Sequence, residues 1–408
     1  MPEEVGGRMD TLKAVVIGAG QAGLSAAHWL ARRGLTPWEE FVVLDANKGP
    51  GGAWRHRWDS LTFDAAHGLH PLPGLPLGAP DPREPASAVV RRYYGDYERA
   101  FRLPVLRPVR VAAVERPGDG GTHDDGPLLV RAADGRVWRG SPTADDGPLL
   151  VRAADGRVWL TETVISATGT WDSPYWPHYP GRESFRGRQL HTHDFVAAEE
   201  FRGQRVLVVG GGTSALQFLL QLDAAGARTS WSTRRDPDWT EVPFDAEWGV
   251  AVERGVGERT RAGLPPLSVV AATGLPLTAQ YRAGIEAGVL VSRGPLARIT
   301  PTGAVLADGT ELGLDAILWA TGFRASLGHL APLGVREPGG GVLMGDDGVR
   351  VVREPRLFLV GYGASASTVG ATRAGRAAAS AALARLGQAG ARPASAAPAP
   401  AGLNASVG

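Results

Sequence analysis

The sequence contains no cysteine and no long run of apolar residues. The missing cysteine excludes a disulfide framework, a zinc–thiolate site, an iron–sulfur cluster, a cysteine nucleophile and a redox cysteine pair. No apolar run approaches the roughly 20 residues that a membrane-spanning helix needs. The acidic start Met-Pro-Glu-Glu lacks the basic-then-apolar order of a signal peptide. We therefore expect a cytoplasmic protein that does not associate with membranes.

The sequence also lacks a surplus of charge of either sign. Lys+Arg amount to 43 residues and Asp+Glu to 42, so the formal net charge is +1. This balance gives no electrostatic basis for binding nucleic acid or an anionic membrane surface. All basic residues except Lys13 and Lys48 are arginines. Because this bias fits GC-rich codon usage, an arginine in this chain is attributed to composition before it is attributed to function.

The length and the apolar content allow more than one domain. At roughly 150 residues per domain, the 408 residues suffice for two or three, and 43% of them are hydrophobic. An apolar strand, a helix and a second strand follow one another twice. Two such units predict an α/β fold with two Rossmann-like dinucleotide-binding domains. The predicted elements are Leu12–Ile17, 22–33 and Phe41–Leu44, and then 206–209, 215–222 and 229–232.

The first glycine motif follows the first predicted strand and reads Gly18-Ala19-Gly20-Gln21-Ala22-Gly23. In a GxGxxG motif the first glycine permits a tight turn, the second lets the backbone approach a pyrophosphate, and the third lets helix and strand pack closely. The helix N-terminus then offers free N–H groups to the phosphates. Asp45 follows at the distance where a carboxylate accepts hydrogen bonds from ribose hydroxyls. We predict a dinucleotide site; the alternative is an ordinary glycine turn.

The second glycine motif follows the run VLVVG and reads Gly210-Gly211-Gly212-Thr213-Ser214-Ala215. The next predicted strand ends at Ser232 and is followed by Arg234 and Arg235 rather than by a carboxylate. Arginine can clamp the 2′-phosphate that distinguishes NADPH from NADH. This motif therefore predicts an NADPH site. The alternative for the two arginines is codon bias combined with a solvated loop.

A tandem duplication interrupts the first unit. Residues 124–138 read DDGPLLVRAADGRVW, and residues 145–159 repeat the same 15 residues. Two copies are too few for a solenoid, which needs about three repeats. Each copy predicts a hairpin with an Asp-Gly turn. One copy suffices to lead into the predicted strand 160–165, so we expect the other to be looped out or to form an added hairpin.

Two Ala-Thr-Gly triplets each follow an apolar strand, at Ala167-Thr168-Gly169 and at Ala320-Thr321-Gly322. Together with the two glycine motifs, they resemble the two-dinucleotide-domain flavoproteins, in which this triplet marks the passage of the chain between the FAD and NAD(P) domains. The resemblance covers almost the whole chain. It implies that an NADPH domain is inserted into an FAD domain.

A further pattern lies between the two units. Phe185, Gly187, His191 and Phe195 match FxGxxxHxxx(F/Y), and Gly51-Gly52-Ala53-Trp54 resembles a GGxW stretch beside the flavin. Both features are similar to those of the class B flavoprotein monooxygenases, which include flavin-containing monooxygenases, N-hydroxylases and Baeyer–Villiger enzymes. His191 is expected to organise the domain junction rather than to act as a general base.

The resemblance implies cofactors and a reaction. NADPH would reduce FAD, O₂ would form a C4a-(hydro)peroxyflavin, and one oxygen atom would pass to a small organic substrate, with no metal required. The alternatives are an NADPH-dependent reductase that passes electrons to a quinone or protein, and a flavoprotein without catalysis. Implied FAD contacts are Gly18, Gly20, Gln21, Ala22, Gly23, Asp45, Gly52, Trp54, Val111, Ala167, Thr168, Gly169 and Gly361; implied NADPH contacts are Gly210, Gly212, Thr213, Ser214, Ser232, Arg234, Arg235, Ala320, Thr321 and Gly322.

Other expectations concern organisation. We predict an FAD-binding part at 1–172, an NADPH-binding domain at 173–322, a closing FAD-binding part at 323–387 and a disordered tail at 388–408. The protein is expected to be a monomer or a homodimer. An asparagine that animal-type members have after the GGxW stretch is missing, and His67 is a candidate for the missing donor. The alternative for His67 is a structural loop histidine.

Overall fold

The structure is a computed structural model. It describes residues 11–66, 69–117, 128–131, 137–140, 147–241, 246–266, 274–366 and 368–390. The helices are α1 (Gln21–Arg32), α2 (Ala86–Ala100), α3 (Thr213–Ala224), α4 (Ala246–Arg261), α5 (Ala279–Glu286) and α6 (Thr368–Gly390). Short 3₁₀ segments cover Gly52–His56, Arg182–Ser184, Thr192–Asp194, Ala198–Phe201, Gly328–Leu333 and Gly363–Ala366.

The strands form two main sheets and three small ones. They are β1 (Leu12–Ile17), β2 (Phe41–Leu44), β3 (Val105–Leu106), β4 (Val111–Glu115), β5 (Leu128–Arg131), β6 (Val137–Gly140), β7 (Leu149–Ala153), β8 (Val158–Ser166), β9 (Arg188–His191), β10 (Arg205–Val209), β11 (Arg228–Ser232), β12 (Trp239–Thr240), β13 (Leu275–Pro276), β14 (Leu296–Thr300), β15 (Gly303–Leu306), β16 (Glu311–Gly313), β17 (Ala316–Trp319), β18 (Arg350–Val351) and β19 (Glu354–Leu359).

The first main sheet has eight strands, and its central order is β18-β19-β8-β1-β2-β3. The pairs β1–β2, β1–β8, β2–β3 and β8–β19 are parallel. Along β1, Ala14 and Val16 face one core cluster, whereas Val15 and Ile17 face another. This alternation is that of a strand buried on both faces of a sheet. The carboxyl ends of the five parallel strands β19, β8, β1, β2 and β3 lie at one edge.

The second main sheet is smaller and entirely parallel, in the order β11-β10-β17-β9. Helix α3 follows β10, and five of its side chains are fully buried against this sheet. Strands β1 to β4, β7 and β8 precede the second sheet in the chain, and β18 and β19 follow it; all of these belong to the first sheet. The prediction of two Rossmann-like units in an α/β fold is confirmed.

The closing helix α6 lies directly on α1. A Cβ on Gly375 would lie 2.6 Å from the carbonyl oxygen of Ala22, so the two helix backbones approach closely. The Ser25 hydroxyl donates to the Thr372 carbonyl oxygen over 2.7 Å. Helix α6 continues to Gly390, so residues 388–390 of the predicted tail are helical; the rest of that tail lies outside the described residues.

The duplicated segments both form hairpins, as predicted. In the second copy, Leu149 pairs with Thr161 and Arg152 with Val158. In the first copy, Leu128 pairs with Gly140 and Arg131 with Val137. Each pair of the first copy lies 21 positions before its equivalent in the second, so the register is the same. Within the described residues, β5 and β6 pair only with each other, whereas β7 and β8 join the first main sheet.

A buried ion cluster fastens the second copy to the end of the first sheet. The Arg356 guanidinium forms two hydrogen bonds with the Glu354 carboxylate, of 2.6 and 2.8 Å, and Arg116 approaches the same carboxylate to 2.8 Å. Arg356 also donates to the carbonyl oxygen of Gly147, the residue two positions before β7. Buried charges are tolerated when they are paired and hydrogen-bonded. The second copy is thus an integral part of the sheet.

Deletion of residues 124–144 should therefore be tolerated. In the remaining copy, β7 keeps its pairing with β8, and Gly147 keeps its hydrogen bond from Arg356. Removing a loop insertion changes stability little, because loop-closure entropy grows only logarithmically with length. We expect the deletion variant to retain FAD and to melt at a temperature no lower than that of the parent in differential scanning fluorimetry. Loss of FAD would show that the first copy contributes to the core.

Candidate functional site

The first glycine motif is a tight turn between β1 and α1. Gly18 has a φ of +100°, and a Cβ there would lie 2.6 Å from the carbonyl oxygen of Ala167. A Cβ on Gly23 would lie 1.9 Å from the Gly18 carbonyl oxygen. Both positions therefore require glycine. The predicted roles of these two glycines, a tight turn and close packing of helix on strand, match this geometry.

The front of the same motif is open. A Cβ on Gly20 would meet no atom within 4 Å. Gly20 is the N-cap of α1, no side chain caps the helix, and no acidic residue lies in its first turn. The first N–H groups of α1 thus have neither a side-chain partner nor a nearby negative charge. An uncapped helix start behind an open glycine fits the pyrophosphate of a dinucleotide such as FAD.

Asp45 follows β2 at the same edge and is only 4% exposed. One carboxylate oxygen accepts from Arg107 Nε over 2.6 Å, and the other accepts from Asn47 Nδ2 over 3.1 Å. Arg107 also forms two 2.7 Å hydrogen bonds with Glu98. The oxygen that accepts from Arg107 retains a lone pair for a ribose hydroxyl, whereas the other oxygen also accepts from the Asn47 N–H over 3.5 Å. Sequence reasoning identified Asp45 but missed Arg107 and Asn47, which orient it.

The other residues of the predicted FAD site mostly gather beside this edge. A Cβ on Gly52 would lie 2.8 Å from Gly20 Cα, so the GGxW segment covers the glycine turn. Gly361 follows β19 and lies beside Gly169. Thr168 donates to the Ser326 carbonyl oxygen over 2.8 Å.

Two predicted FAD contacts have other partners. Gln21 donates to the carbonyl oxygen of His70 and to the Thr372 hydroxyl, so its side chain serves packing, and its backbone N–H remains the group for a phosphate. Val111 begins β4 and packs in the core behind the sheet. His67 lies outside the described residues.

The second glycine motif repeats the geometry of the first. Gly210 has a φ of +145°, and a Cβ there would lie 2.1 Å from the Ala320 carbonyl oxygen. Gly212 is the N-cap of α3, which begins at Thr213 and has neither a side-chain cap nor an acidic residue in its first turn. The alanine of each Ala-Thr-Gly triplet thus lies against the first glycine of its motif. A second dinucleotide fits here on the same grounds.

The end of β11 carries the positive charge. Arg234 and Arg235 are exposed, and neither forms an ion pair with a residue that the structure describes. Arg293 is exposed beside them, and its N–H donates to the Trp231 carbonyl oxygen over 2.9 Å. Ser232 is fully buried and donates to the Gly294 carbonyl oxygen, so its hydroxyl faces away from a coenzyme. Sequence reasoning missed Arg293, which is distant along the chain.

His191 ends β9 and joins the fingerprint to the second triplet. Its Nδ1 accepts from the His193 N–H over 3.1 Å, so Nε2 carries the proton and donates to the Gly322 carbonyl oxygen over 3.0 Å. The side chain is fully buried, and this burial lowers the pKa of His191 to about 4. A neutral imidazole with both nitrogens occupied positions the backbone. Its predicted role in organising the junction agrees with these contacts.

The remaining fingerprint residues pack into the second unit. Phe185 is buried, and a Cβ on Gly187 would lie 2.4 Å from the Asp315 carbonyl oxygen. Phe195 contacts Phe218 of α3 and Trp58, with ring centroids 4.5 and 5.8 Å away. Trp58 follows the GGxW segment of the first unit, yet it lies in the core of the second. The fingerprint therefore marks the contact between the two units.

The arrangement supports one kind of chemistry. Two glycine-capped helix starts can each hold a dinucleotide, and the segments that cover them meet at one aromatic junction. Dinucleotide cofactors carry hydride transfer themselves, while the protein binds, orients and shields them. Among the described residues, no group of three or more His, Cys, Asp or Glu side chains could hold a metal ion.

Known protein families and structures share these features. A family model described as pyridine nucleotide-disulphide oxidoreductase matches residues 146–247, and one described as an NAD(P)-binding Rossmann-like domain matches residues 16–76. The solved structure of a flavin-containing monooxygenase from Stenotrophomonas maltophilia is 36% identical in sequence, with a TM-score of 0.71. The match covers 93% of this chain and 100% of that chain.

Two other relatives are more distant. An indole-3-pyruvate monooxygenase of Oryza sativa subsp. japonica is 27% identical, and the match covers 77% of each chain. The senecionine N-oxygenase of Tyria jacobaeae is 28% identical, over 55% of this chain and 49% of its own length. All three of these proteins are oxygenases by name.

The neutral state of His191 makes the free energy of unfolding depend on pH. Because its pKa is lower in the folded chain than the ordinary 6.5, its stabilising contribution is complete above about pH 6.5 and is lost as the pH falls towards 4. By linkage, lowering the pH from about 7 to about 5 costs roughly 2 kcal/mol from this group.

We expect His191→Asn to be less stable at neutral pH by about 1–3 kcal/mol, because hydrogen bonds are lost. We also expect a smaller loss of stability on acidification. Urea unfolding of both proteins at the two pH values measures this. An equal loss on acidification in the two proteins would contradict the assignment of a neutral, buried His191.

Proposed function

Because the chain belongs to the flavin-containing monooxygenase family of class B flavoprotein monooxygenases, it is an FAD- and NADPH-dependent monooxygenase, and we propose which of its residues hold each cofactor. The first glycine motif with Asp45 holds FAD, and the second with Arg234 and Arg235 holds NADPH. The observation that carries this division is the opposite charge at two otherwise equivalent positions, a carboxylate after β2 and arginines after β11. A carboxylate would repel the 2′-phosphate of NADPH.

When both are bound, NADPH would supply a hydride to FAD and reduced FAD would activate O₂, so that one oxygen atom of O₂ enters a small organic substrate and the other leaves as water. The chain's own residues bind the two cofactors and orient them. The first turns of α1 and α3 hold the phosphates with their N–H groups. His191 fixes the backbone at Gly322, and Trp58 with Phe195 and Phe218 fills the junction with apolar surface. Excluding water at such a junction strengthens its electrostatic interactions and limits side reactions.

The rival reductase has no support among the relatives, and the chain lacks the cysteines that disulfide reduction uses.

Membership of the family implies a small organic substrate and O₂ as the two compounds that react. Relatives named for indole-3-pyruvate and for senecionine suggest a substrate with both apolar and polar parts. Among the described residues, no helix is long and apolar enough to cross a membrane. That the protein is a monomer or a homodimer remains a prediction.

The domain limits are also part of the proposal. The FAD-binding unit comprises residues 1–172 and 323–387, and the NADPH-binding unit comprises residues 173–322. All strands of the first main sheet lie in the first two ranges, and all strands of the second main sheet lie in the third. This distribution supports an NADPH unit that is inserted into the FAD unit.

Substitution of both Arg234 and Arg235 by alanine should weaken NADPH selectively. Hydrogen bonds from a cation to a phosphate are worth roughly 1.5–3 kcal/mol, and about 1.4 kcal/mol is a factor of ten. The KM for NADPH should therefore rise about tenfold or more, while the KM for NADH stays nearly unchanged. Anaerobic reduction of the bound FAD, followed with each coenzyme, measures both values.

Arg298→Ala is the matched control, since Arg298 is another exposed arginine of the same unit, on β14. This variant should keep the parental preference between the coenzymes. Equal losses for NADPH and NADH in the double variant would mean that Arg234 and Arg235 act on the fold, and the assignment of the 2′-phosphate site would be wrong.

A further inference from the structure

A segment rich in aromatic residues lies along the carboxyl edge of the second main sheet. Tyr175, at its start, is tied twice to the second triplet. Its N–H donates to the Gly322 carbonyl oxygen over 2.9 Å, and its carbonyl oxygen accepts from the Thr321 hydroxyl over 2.6 Å. At the end of the segment, the Pro180 carbonyl oxygen accepts from the Ile299 N–H over 2.9 Å. The segment is therefore held at both ends beside the second glycine motif.

Tyr179 belongs to this segment and stacks on Trp319, the last residue of β17. The two ring centroids are 5.8 Å apart, and the ring planes differ by 23°. Trp319 is fully buried, whereas Tyr179 is half-buried. The Tyr179 ring thus covers the core of the second unit and keeps part of its own surface accessible.

The other two large aromatic rings of the segment each have a cation over them. The Cζ of Arg324 lies 4.2 Å from the centroid of the Tyr175 ring, and the Cζ of Arg182 lies 5.6 Å from that of the Trp176 ring. Over Tyr179 there is no cation and no second aromatic ring besides Trp319 among the residues that the structure describes. Of these three rings, Tyr179 is the one that offers an aromatic surface to a ligand.

Tyr179 also lies near the arginines that follow β11. Ser232 pairs with Val209, and Val209 pairs with Trp319, so β11, β10 and β17 end in one row. Burial raises the pKa of Tyr179, and the positive charge of Arg234 opposes this rise. The Arg234 guanidinium is therefore close enough to the phenol ring to act on it.

The covalent structure of NADPH connects these observations. Its 2′-phosphate is carried by the ribose that also bears the adenine, so the base lies within one sugar of that phosphate. A ring beside Arg234, the proposed partner of the 2′-phosphate, is thus also beside the adenine. Adenine is a flat aromatic base, and such bases stack on aromatic side chains without needing a particular hydrogen-bond pattern.

We infer that the adenine of NADPH stacks on the accessible surface of Tyr179. Because Trp319 already holds the Tyr179 ring, little side-chain entropy is lost when the base binds. Tyr179 contributes affinity without selecting between the coenzymes, since NADPH and NADH both contain adenine. This inference rests on the proposed function, because it requires the second glycine motif and Arg234 to hold NADPH.

Equilibrium binding of adenosine 2′,5′-bisphosphate to the FAD-loaded enzyme, followed by calorimetry, tests the inference. This probe carries the base and the 2′-phosphate but no nicotinamide. Tyr179→Leu should weaken its binding about tenfold, a factor equal to about 1.4 kcal/mol and within the range for a base on an aromatic side chain. Tyr179→Phe keeps the aromatic ring and should bind the probe as the parent does.

The two coenzymes distinguish stacking from an indirect effect on the arginines. Anaerobic reduction of the bound FAD gives the KM and the limiting rate with NADPH and with NADH. In Tyr179→Leu both KM values should rise by the same factor, and the limiting rates should stay near those of the parent because the nicotinamide is untouched. A larger rise for NADPH would mean that Tyr179 only positions Arg234, and would overturn the inference.

Trp159→Leu is the matched control. Trp159 is another half-buried aromatic residue with an arginine nearby, since the Cζ of Arg157 lies 5.7 Å from its ring centroid, but it belongs to the first unit. This variant should bind the probe as the parent does. Unchanged binding in Tyr179→Leu, or an equal loss in Tyr179→Phe or in Trp159→Leu, would each overturn the inference.

The variant with alanine at both Arg234 and Arg235 reports on the proposed function separately. If the parent binds the probe and this variant binds it equally well, the assignment of the 2′-phosphate site is wrong, while a loss in Tyr179→Leu would still support stacking. If the arginines matter and Tyr179→Leu binds normally, only the inference about Tyr179 is wrong. A parent that does not bind the probe at all would overturn both.

Discussion

The close approach of an alanine carbonyl to a glycine Cα organises both glycine turns, which are the proposed cofactor sites. Ala167 lies against Gly18 in the first unit, and Ala320 lies against Gly210 in the second. In each case a side chain on the glycine would overlap the carbonyl oxygen, so the turn cannot form with another residue. The turn places an uncapped helix start at the edge of the sheet. Because the alanines begin the Ala-Thr-Gly triplets, the chain leaves each sheet beside its glycine turn.

Side chains of each unit pack into the other, so more than the connecting chain joins the two units. Trp58 leaves the first unit and packs among Phe195 and Phe218 of the second. His191 ties the edge strand of the second sheet to the backbone of Gly322. These contacts fix the distance between the two glycine motifs, on which transfer between bound cofactors depends.

Local patterns in the sequence were sufficient to predict the main strands, the hairpins and the glycine turns. The limits of β1 and β2 were predicted correctly because apolar runs end directly at a glycine or an aspartate. The hairpins of the duplication were predicted because an Asp-Gly turn lies between two apolar runs. The turns at both glycine motifs were predicted because a Cβ at Gly18 or Gly210 would overlap a carbonyl oxygen, so the residue type itself indicates the turn.

The partners of the site residues could not be predicted, because they come from distant parts of the chain. Arg107 bonds to Asp45 from 62 positions along the chain, and the Arg293 N–H donates to the Trp231 carbonyl oxygen. The burial of Ser232 depends on Gly294, a contact that no local pattern indicates. Codon bias made each of these arginines unremarkable in the sequence.

The measurement that tests the central claim most directly is an anaerobic titration of the purified, FAD-loaded protein with NADPH. The visible absorbance of oxidised flavin reports the transfer of hydride from one site to the other. If the two glycine motifs hold FAD and NADPH at a common junction, one equivalent of NADPH per chain should bleach the flavin, and air should restore it. Flavin that stays oxidised with excess NADPH would contradict the account.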